Sequence, residues 1–243
     1  MKTITNLKDF CPKTTIVIDG DADFSTFQNI NDLGALIEIN GNAIFTNSEI
    51  QSLGKLEKIG GDAVFYESKI RSLENLTSIG CLAVFVNSKV ESLGKLQTIG
   101  GSVDFTGTKL KDLGELKWIG GDALFAFSEI EELGKLHTIC GDALFSFSEI
   151  TCLDNLEVIG GNADFEDSNV LFLDDLHTIR GNAYFEGSEV LDLGELKSIM
   201  GNVDFSESNV RCLGFLKFIG GEIYWGERTD LKKEWKAINK PKK

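Results

Sequence analysis

The sequence is poor in proline, with two in 243 residues, and it has few histidines and cysteines. A flexible linker or a disordered tail would be richer in proline, so the shortage argues against both. The five cysteines are odd in number and share no common spacing, which argues against a disulfide framework. They are Cys11, Cys81, Cys140, Cys152 and Cys212. We interpret them as small filler side chains in a reducing compartment.

The chain also lacks long apolar runs and an excess of positive charge. Met1–Phe10 has no apolar stretch of the length that a secretory signal needs, and no segment is apolar enough to span a bilayer. These absences predict a cytoplasmic protein without a membrane partner, and they leave leaderless export open. The 24 basic residues face 38 acidic ones, a net charge of -14. Such a surface repels nucleic-acid phosphates and could steer a basic partner.

What the sequence has in abundance is repetition with a period of 20 residues. Phenylalanine recurs at this period from Phe45 to Phe205, Trp225 takes the next place, and Phe24 begins the series one residue out of step. Leucine is constant in two further columns and isoleucine in a third. Stacked units bury a continuous core that one unit could not bury alone. The period therefore predicts a β-solenoid of about eleven coils over residues 18–227.

The unit at residues 61–80 shows how one coil is built. Ala63 and Phe65 alternate with polar or variable neighbours, and this period of two predicts a strand with both side chains inward. Leu73, Leu76 and Ile79 are three residues apart, which favours an irregular or 3₁₀ return arc. A parallel β-sheet should therefore cover one face of the stack.

A serine column also belongs to the predicted interior. Ser68 and its equivalents, with Thr108 in one coil, fall at inward positions. A buried hydroxyl needs a hydrogen-bond partner. We expect these hydroxyls to bond backbone groups of their own and neighbouring coils, in a ladder along the stack.

The segment Ala63-x-Phe65-x-x-Ser68-x-Ile70 resembles the strand segment of leucine-rich repeats, with serine where that family usually has asparagine. The segment Leu73-x-x-Leu76-x-x-Ile79-x-Gly is similar to the repeats of receptor L domains. The resemblance extends over about residues 18–227. It implies a leucine-rich-repeat-like solenoid, in a bacterial-type or receptor-L-domain-like variant, whose repeated strands carry the binding residues.

Both ends of a solenoid need a cover. Residues 1–17 contain Ile4 and Leu7 and are predicted to form an N-terminal cap. Residues 228–243 contain Leu231, Trp235 and Ile238 at helical spacing, which predicts a capping helix followed by a basic tail. We favour a solvated tail over one that binds nucleic acid or membrane.

No pattern of catalytic residues accompanies the repeat. His137 and His177 share a column two coils apart, so we expect a separation of roughly 10 Å, too large for joint metal ligation. The serine column has no accompanying base, and no phosphate-binding or calcium-binding loop recurs. The sequence therefore predicts a protein that is not an enzyme and has no metal or cofactor.

The outward strand positions vary between coils, and we expect function there. The apolar candidates are Val64, Tyr66, Val84, Val86, Leu124, Phe127, Leu144 and Phe147. The acidic candidates that follow are Asp164, Glu166, Glu186 and Asp204, with Tyr184 among them. An apolar cluster beside an acidic field predicts a scaffold that binds a protein with a basic flank. Self-association into a homodimer, strand propensity alone, and mimicry of nucleic acid against a DNA-binding protein stay open as alternatives.

Overall fold

The computed structural model describes residues 15–27 and 30–240, and it is a β-solenoid with two parallel sheets. Each sheet contains eleven strands, and each coil contributes one strand to each sheet. The predicted fold class is therefore confirmed, as is the stacking of coils about 20 residues apart. In these described residues, no helix combines the length and the apolar character that a membrane crossing requires.

The strands are short, and most have two residues. The first sheet, sheet A, contains β1 (Ile16–Ile18), β3 (Leu36–Ile39), β5 (Lys58–Ile59), β7 (Ser78–Ile79), β9 (Thr98–Ile99), β11 (Trp118–Ile119), β13 (Thr138–Ile139), β15 (Val158–Ile159), β17 (Thr178–Ile179), β19 (Ser198–Ile199) and β21 (Phe218–Ile219). The second sheet, sheet B, contains β2 (Ala22–Asp23), β4 (Ala43–Ile44), β6 (Ala63–Val64), β8 (Ala83–Val84), β10 (Val103–Asp104), β12 (Ala123–Leu124), β14 (Ala143–Leu144), β16 (Ala163–Asp164), β18 (Ala183–Tyr184), β20 (Val203–Asp204) and β22 (Ile223–Tyr224).

The phenylalanine column forms the centre of the core. Successive rings stack nearly parallel, with ring centroids 4.9 Å apart between Phe65 and Phe85 and 5.8 Å apart between Phe105 and Phe125. These rings are fully buried, as are the constant leucines of the central coils. The spacing of the stack matches that of hydrogen-bonded strands, so identical side chains meet in every coil.

The return arc differs from the prediction because it contains a strand. We expected an irregular or 3₁₀ segment, but Ser78 and Ile79 form β7 and pair in register with the coils on either side. A turn precedes the strand, in which the Leu76 N–H donates to the Leu73 carbonyl at 2.9 Å. The three-residue spacing of Leu73, Leu76 and Ile79 arises from this turn and the strand after it, so it does not indicate a 3₁₀ helix.

The serine column is buried, as predicted, but it does not form the predicted ladder. Ser148 and Ser208 each donate to the phenylalanine carbonyl of their own coil, at 2.8 and 2.9 Å. Six hydroxyl oxygens of the column have no hydrogen-bond partner in the structure. They belong to Ser48, Ser68, Thr108, Ser128, Ser168 and Ser188. Backbone pairing of the carbonyl does not decide this, because the Phe145 carbonyl accepts both the Ser148 N–H at 3.2 Å and the Ser148 hydroxyl.

A different side-chain ladder runs along the outside of the bend before sheet B. In every coil of this column except that of Leu82, a side-chain oxygen accepts the backbone N–H of the counterpart one coil later. Asn42 accepts from Asp62 at 2.7 Å, and Asn162 accepts from Asn182 at 2.8 Å. Glycine precedes the column in nearly every coil, because a Cβ at Gly61 would overlap the Asn42 amide oxygen. We call this column the amide ladder.

The ends of the solenoid are closed differently. Strand β1 pairs with β3, so the predicted boundary between cap and solenoid at residue 17 falls inside a strand of sheet A. Residues 1–14, the greater part of the predicted N-terminal cap, lie outside the described residues.

At the other end, α1 (Thr229–Ile238) packs on the last coil. Leu231 is fully buried and Trp235 is half-buried, whereas Ile238 is 39% exposed and contributes less to the contact than predicted. The last three residues of the predicted basic tail, 241–243, lie outside the described part of the chain.

Candidate protein-binding face

The outer side of sheet B carries the residues that the sequence singles out. In-register pairing places Val64 beside Val84 and Leu124 beside Leu144, with their side chains half-buried. Tyr66 and Val86 lie two residues further along their coils and are also half-buried. The structure therefore brings the apolar candidates onto one face, at the spacing of neighbouring strands.

One aspartate interrupts this apolar region. Asp104 lies between Val84 and Leu124 in sheet B, so the region is two patches of two coils each. Its carboxylate accepts the backbone N–H of Thr106 at 2.9 Å. A side chain that bonds a backbone N–H two residues on stabilises a turn. Asp104 therefore has a local structural role.

Two residues of the acidic candidates make the same bond. Asp164 accepts from the Glu166 N–H at 3.0 Å, and Asp204 accepts from the Ser206 N–H at 2.8 Å. Each carboxylate completes the turn that follows its strand, so neither needs a partner protein to explain it. Glu166 and Glu186 have no such backbone bond among the described residues and are exposed.

The acidic residues are close enough to influence one another. A slight loss of hydration, followed by the charges of Asp164, Glu186, Asp167 and Asp204, raises the pKa of the exposed Glu166 above its ordinary value. Tyr184 lies between Asp164 and Asp204 in sheet B and is 39% exposed. This half of the face is thus a field of negative charge with one aromatic side chain in it.

Phe127 and Phe147 are the most exposed of the apolar candidates. Their exposed fractions are 67% and 54%, and their rings stack with centroids 5.3 Å apart and planes within 2°. Both have a left-handed backbone, with φ of 55° and 57°. We call these two residues the Phe pair.

The left-handed backbone makes phenylalanine an unfavourable choice at these two positions. An L-residue with a Cβ in this conformation costs about 1–2 kcal/mol, and glycine, asparagine and aspartate tolerate it best. The same position has positive φ in every coil from residue 47 to residue 207, so the left-handed backbone is a property of the turn; the other residues there are Asn47, Glu67, Asn87, Gly107, Asp167, Gly187 and Glu207. The Phe pair is distinguished by two large apolar rings that are exposed on this backbone and contact each other.

Two further tyrosines of this face have their hydroxyl groups close to carboxylates. The neighbouring Glu67 carboxylate raises the pKa of the Tyr66 phenol. Tyr224 closes the outward column and is 49% exposed, and its hydroxyl donates to the Glu222 carboxylate at 2.7 Å.

Exposed aromatic residues also occur away from sheet B, which the sequence reasoning missed. Trp118 and Phe218 lie on the outer side of sheet A, with exposed fractions of 38% and 50%, and Phe172 and Phe215 lie on other parts of the surface. Their signal in the sequence is the variation of the outward column of the return arc, which holds Trp118 and Phe218. That column has a defined outward side only because the arc contains a strand.

The part of the chain that the structure describes contains no group of three or more acidic, histidine or cysteine side chains that could hold a metal ion. Comparisons with protein-family models, with curated proteins and with solved structures find no match for this chain.

Proposed function

We propose that this chain is a non-catalytic scaffold that binds another protein through the outer side of sheet B. The observation that carries the proposal is the Phe pair. The left-handed backbone recurs in every coil, so the support comes from two apolar rings, 67% and 54% exposed, at a position that disfavours phenylalanine. Aromatic side chains are also the usual anchors of protein interfaces.

The partner proposed here has an apolar surface with a basic flank. The Phe pair and the half-buried Leu124 and Leu144 would contact the apolar part. The exposed Glu166 and Glu186, two and three coils further along from Leu124, would face the basic flank, which complementary charge would orient. An acidic nucleic-acid mimic is less well supported, because the carboxylates of Asp164 and Asp204 are engaged in turns.

The proposal also includes two narrower assignments, a repeat family and a cellular location. Membership of the leucine-rich-repeat family is supported by the burial of Ala63, Phe65, Ser68 and Ile70, the inward positions of that family's strand segment. A cytoplasmic location is supported by four free cysteines among the described residues, which suit a reducing compartment.

The proposal is tested by affinity capture from the native cell with three baits. They are the unchanged chain, the double variant Phe127→Asn/Phe147→Asn and the control Phe215→Asn, which removes an exposed ring from another part of the surface. We expect at least one protein to be captured by the unchanged chain and by the control but not by the double variant. Identical sets of captured proteins on all three baits would contradict a binding role for the Phe pair.

Self-association predicts a different result from the same variants. If the Phe pair joins two copies of this chain, sedimentation of the purified protein will show a dimer that the double variant abolishes. A monomer at all concentrations, together with partner capture, supports a scaffold for another protein.

A further inference from the structure

A cluster of basic residues lies on a third side of the solenoid, away from the outer face of sheet B. After the buried Ser68, the chain alternates between exposed and buried positions, so that Lys69 and Arg71 point outward on either side of the buried Ile70. The next coils place Lys89 and Lys109 in the same column as Lys69. Coils stack at about 4.8 Å, so three ammonium groups follow one another in register.

This arrangement stands out because the chain as a whole is acidic, with 38 acidic residues against 24 basic ones. Like charges directly opposite one another on neighbouring strands are destabilising. Nearby carboxylates relieve part of the repulsion, since Lys69 pairs with Glu49 at 2.5 Å and Arg71 pairs with Glu91 at 2.6 Å.

Two lysines at the centre of the cluster have no carboxylate partner, whereas the nearby Lys111 has two. Lys111 pairs with Glu129 at 3.3 Å and with Glu131 at 2.9 Å. Among the described residues, neither Lys89 nor Lys109 forms an ion pair. Two adjacent positive charges are therefore left without a counter-charge from the protein.

The surface is concave at the same place. One depression, of about 300 Å³, is lined by Gln51, Lys69, Arg71 and Lys89. A second, of about 410 Å³, is lined by Arg71, Asn87, Ser88, Lys89, Glu91, Gly107 and Lys109. The two share Arg71 and Lys89, so these side chains stand between two hollows of the size that small ligands occupy.

Gly107 contributes to the second depression by having no side chain. The equivalent position holds Asn87 in the preceding coil and Phe127 in the following one, all with positive φ. The Asn87 amide uses this room, since its oxygen would lie 2.8 Å from a Cβ at Gly107. Lys89, Lys109 and Arg71, which stays paired with Glu91, line the same depression and can face one ligand.

We propose that this basic cluster binds a compact polyanion carrying two or more phosphate groups. Adjacent ammonium groups in register match a ligand whose charges repeat at a few ångströms, and the guanidinium of Arg71 suits phosphate oxygens. The hollows are small, and the remaining surface of the chain is acidic. A long polyanion such as nucleic acid would be repelled beyond the cluster, whereas a compact one would not.

The test is titration of the purified full chain with inorganic tripolyphosphate by calorimetry at low ionic strength. We expect saturable binding that weakens as salt is added. Lys89→Gln/Lys109→Gln should weaken binding by roughly tenfold or more, because charged hydrogen bonds are lost. Orthophosphate should bind more weakly than tripolyphosphate, because it can contact only part of the cluster.

Lys197→Gln/Lys217→Gln is the matched control. These exposed lysines also lie in one column of neighbouring coils, and neither forms an ion pair among the described residues, so the same two charges are removed elsewhere. The control should change the affinity by less than about twofold. No saturable binding by the unchanged chain, equal losses in both double variants, or equal affinities for the two phosphates would overturn the proposal. Circular dichroism of both variants establishes that a loss does not arise from unfolding.

Discussion

At the scale of single residues, the inward columns are of two kinds. The apolar columns are buried among other apolar side chains, whereas most hydroxyls of the serine column are buried without a hydrogen-bond partner. Burial of an unpaired hydroxyl costs about 1–3 kcal/mol, whereas a paired one contributes about 1 kcal/mol. Ser68 and Ser148 occupy the same position of the repeat, but only Ser148 has an acceptor, at 2.8 Å. The two residues therefore form a natural comparison.

We expect Ser68→Ala to leave the free energy of unfolding unchanged or raise it by about 1 kcal/mol, because the variant removes an unpaired buried hydroxyl. Ser148→Ala should lower it by about 1 kcal/mol, because a hydrogen bond is lost. Urea denaturation of the two variants measures the difference. A larger loss at Ser68 than at Ser148 would show that the Ser68 hydroxyl is satisfied after all.

The residues could be predicted from the sequence wherever the column was constant or alternated with period two. Burial of Ala63, Phe65 and Ser68 followed directly from that pattern. The partners of the serines could not be predicted, because Ser68 and Ser148 occupy the same column and only Ser148 bonds a carbonyl. The left-handed backbone at Phe127 could not be predicted either, since phenylalanine is not a residue that this conformation favours.

At the scale of structural elements, the amide ladder joins the bend of each coil to the next. The ladder is interrupted at one coil. The Leu82 side chain has no hydrogen-bond acceptor, so it cannot bond the Ser102 N–H. This N–H has no hydrogen-bond partner among the described residues, whereas the Asp122 N–H finds the Ser102 hydroxyl at 3.0 Å. Leu82 is 39% exposed, so little apolar burial depends on it.

Leu82→Asn should therefore raise the free energy of unfolding by about 1 kcal/mol, since it restores a hydrogen bond at a position where Gly101 leaves room. Leu82→Ala is the control, because it removes the leucine without supplying an acceptor, and it should give no such gain. Thermal and urea unfolding measure both. A gain for alanine equal to that for asparagine would show that the missing acceptor has no effect on stability.

The C-terminal element closes the stack through one arginine. The guanidinium of Arg228 donates to the backbone carbonyls of Ser208 and Val210, and it pairs with Asp230 at 2.8 Å. The Ser208 carbonyl lies at the end of the repeat, where a following coil would otherwise supply an N–H donor, as Asn209 does for the Ser188 carbonyl. Arg228→Met should lower the free energy of unfolding by about 1–3 kcal/mol, because carbonyl groups lose their donor. Arg228→Lys keeps the positive charge and can still donate to one carbonyl, so it should lower the free energy of unfolding by less.

The pH dependence of this contact has a definite sign. The hydrogen bond from Arg228 is the largest cause that lowers the pKa of Asp230, from 3.8 to about 2. A carboxyl group with a lowered pKa in the folded state stabilises the fold above its unfolded value and ceases to do so as it is protonated. The stability difference between the unchanged chain and Asp230→Asn should thus be nearly constant above about pH 4, shrink between pH 4 and 2, and disappear below about pH 2. A difference at pH 2 as large as that above pH 4 would exclude this carboxylate as its source.

Elements were predictable where the inward residues alternate with period two. Sheet B was predicted because Ala63 and Phe65 alternate with outward residues and Ser68 marks the turn that follows. Sheet A was not, since its strand Ser78–Ile79 is as short as those of sheet B and contains one inward residue, which shows no alternation. The amide ladder was also missed, because asparagine or aspartate next to glycine indicates a turn equally well.

At the scale of the whole molecule, the constant columns account for the fold and the variable columns distribute charge and apolar surface over three sides. The outer face of sheet B holds the Phe pair and an acidic field, the outer side of sheet A holds Trp118 and Phe218, and the third side holds the basic cluster. The sequence predicted the first of these surfaces because its strand was predicted. The other two depend on the path of the return arc, which a pattern without alternation does not specify.

The most direct measurement is made on the double variant Phe127→Asn/Phe147→Asn, with stability and affinity for the captured partner determined side by side. Relief of backbone strain, offset by the lost ring stack, should leave the free energy of unfolding unchanged or raise it by up to about 1 kcal/mol. Loss of two exposed aromatic anchors should weaken partner binding by roughly 30-fold or more, while Phe215→Asn stays within about twofold of the unchanged chain. A variant that binds its partner as tightly as the unchanged chain would contradict the proposed face, and one that unfolds more easily would show that the Phe pair serves the fold.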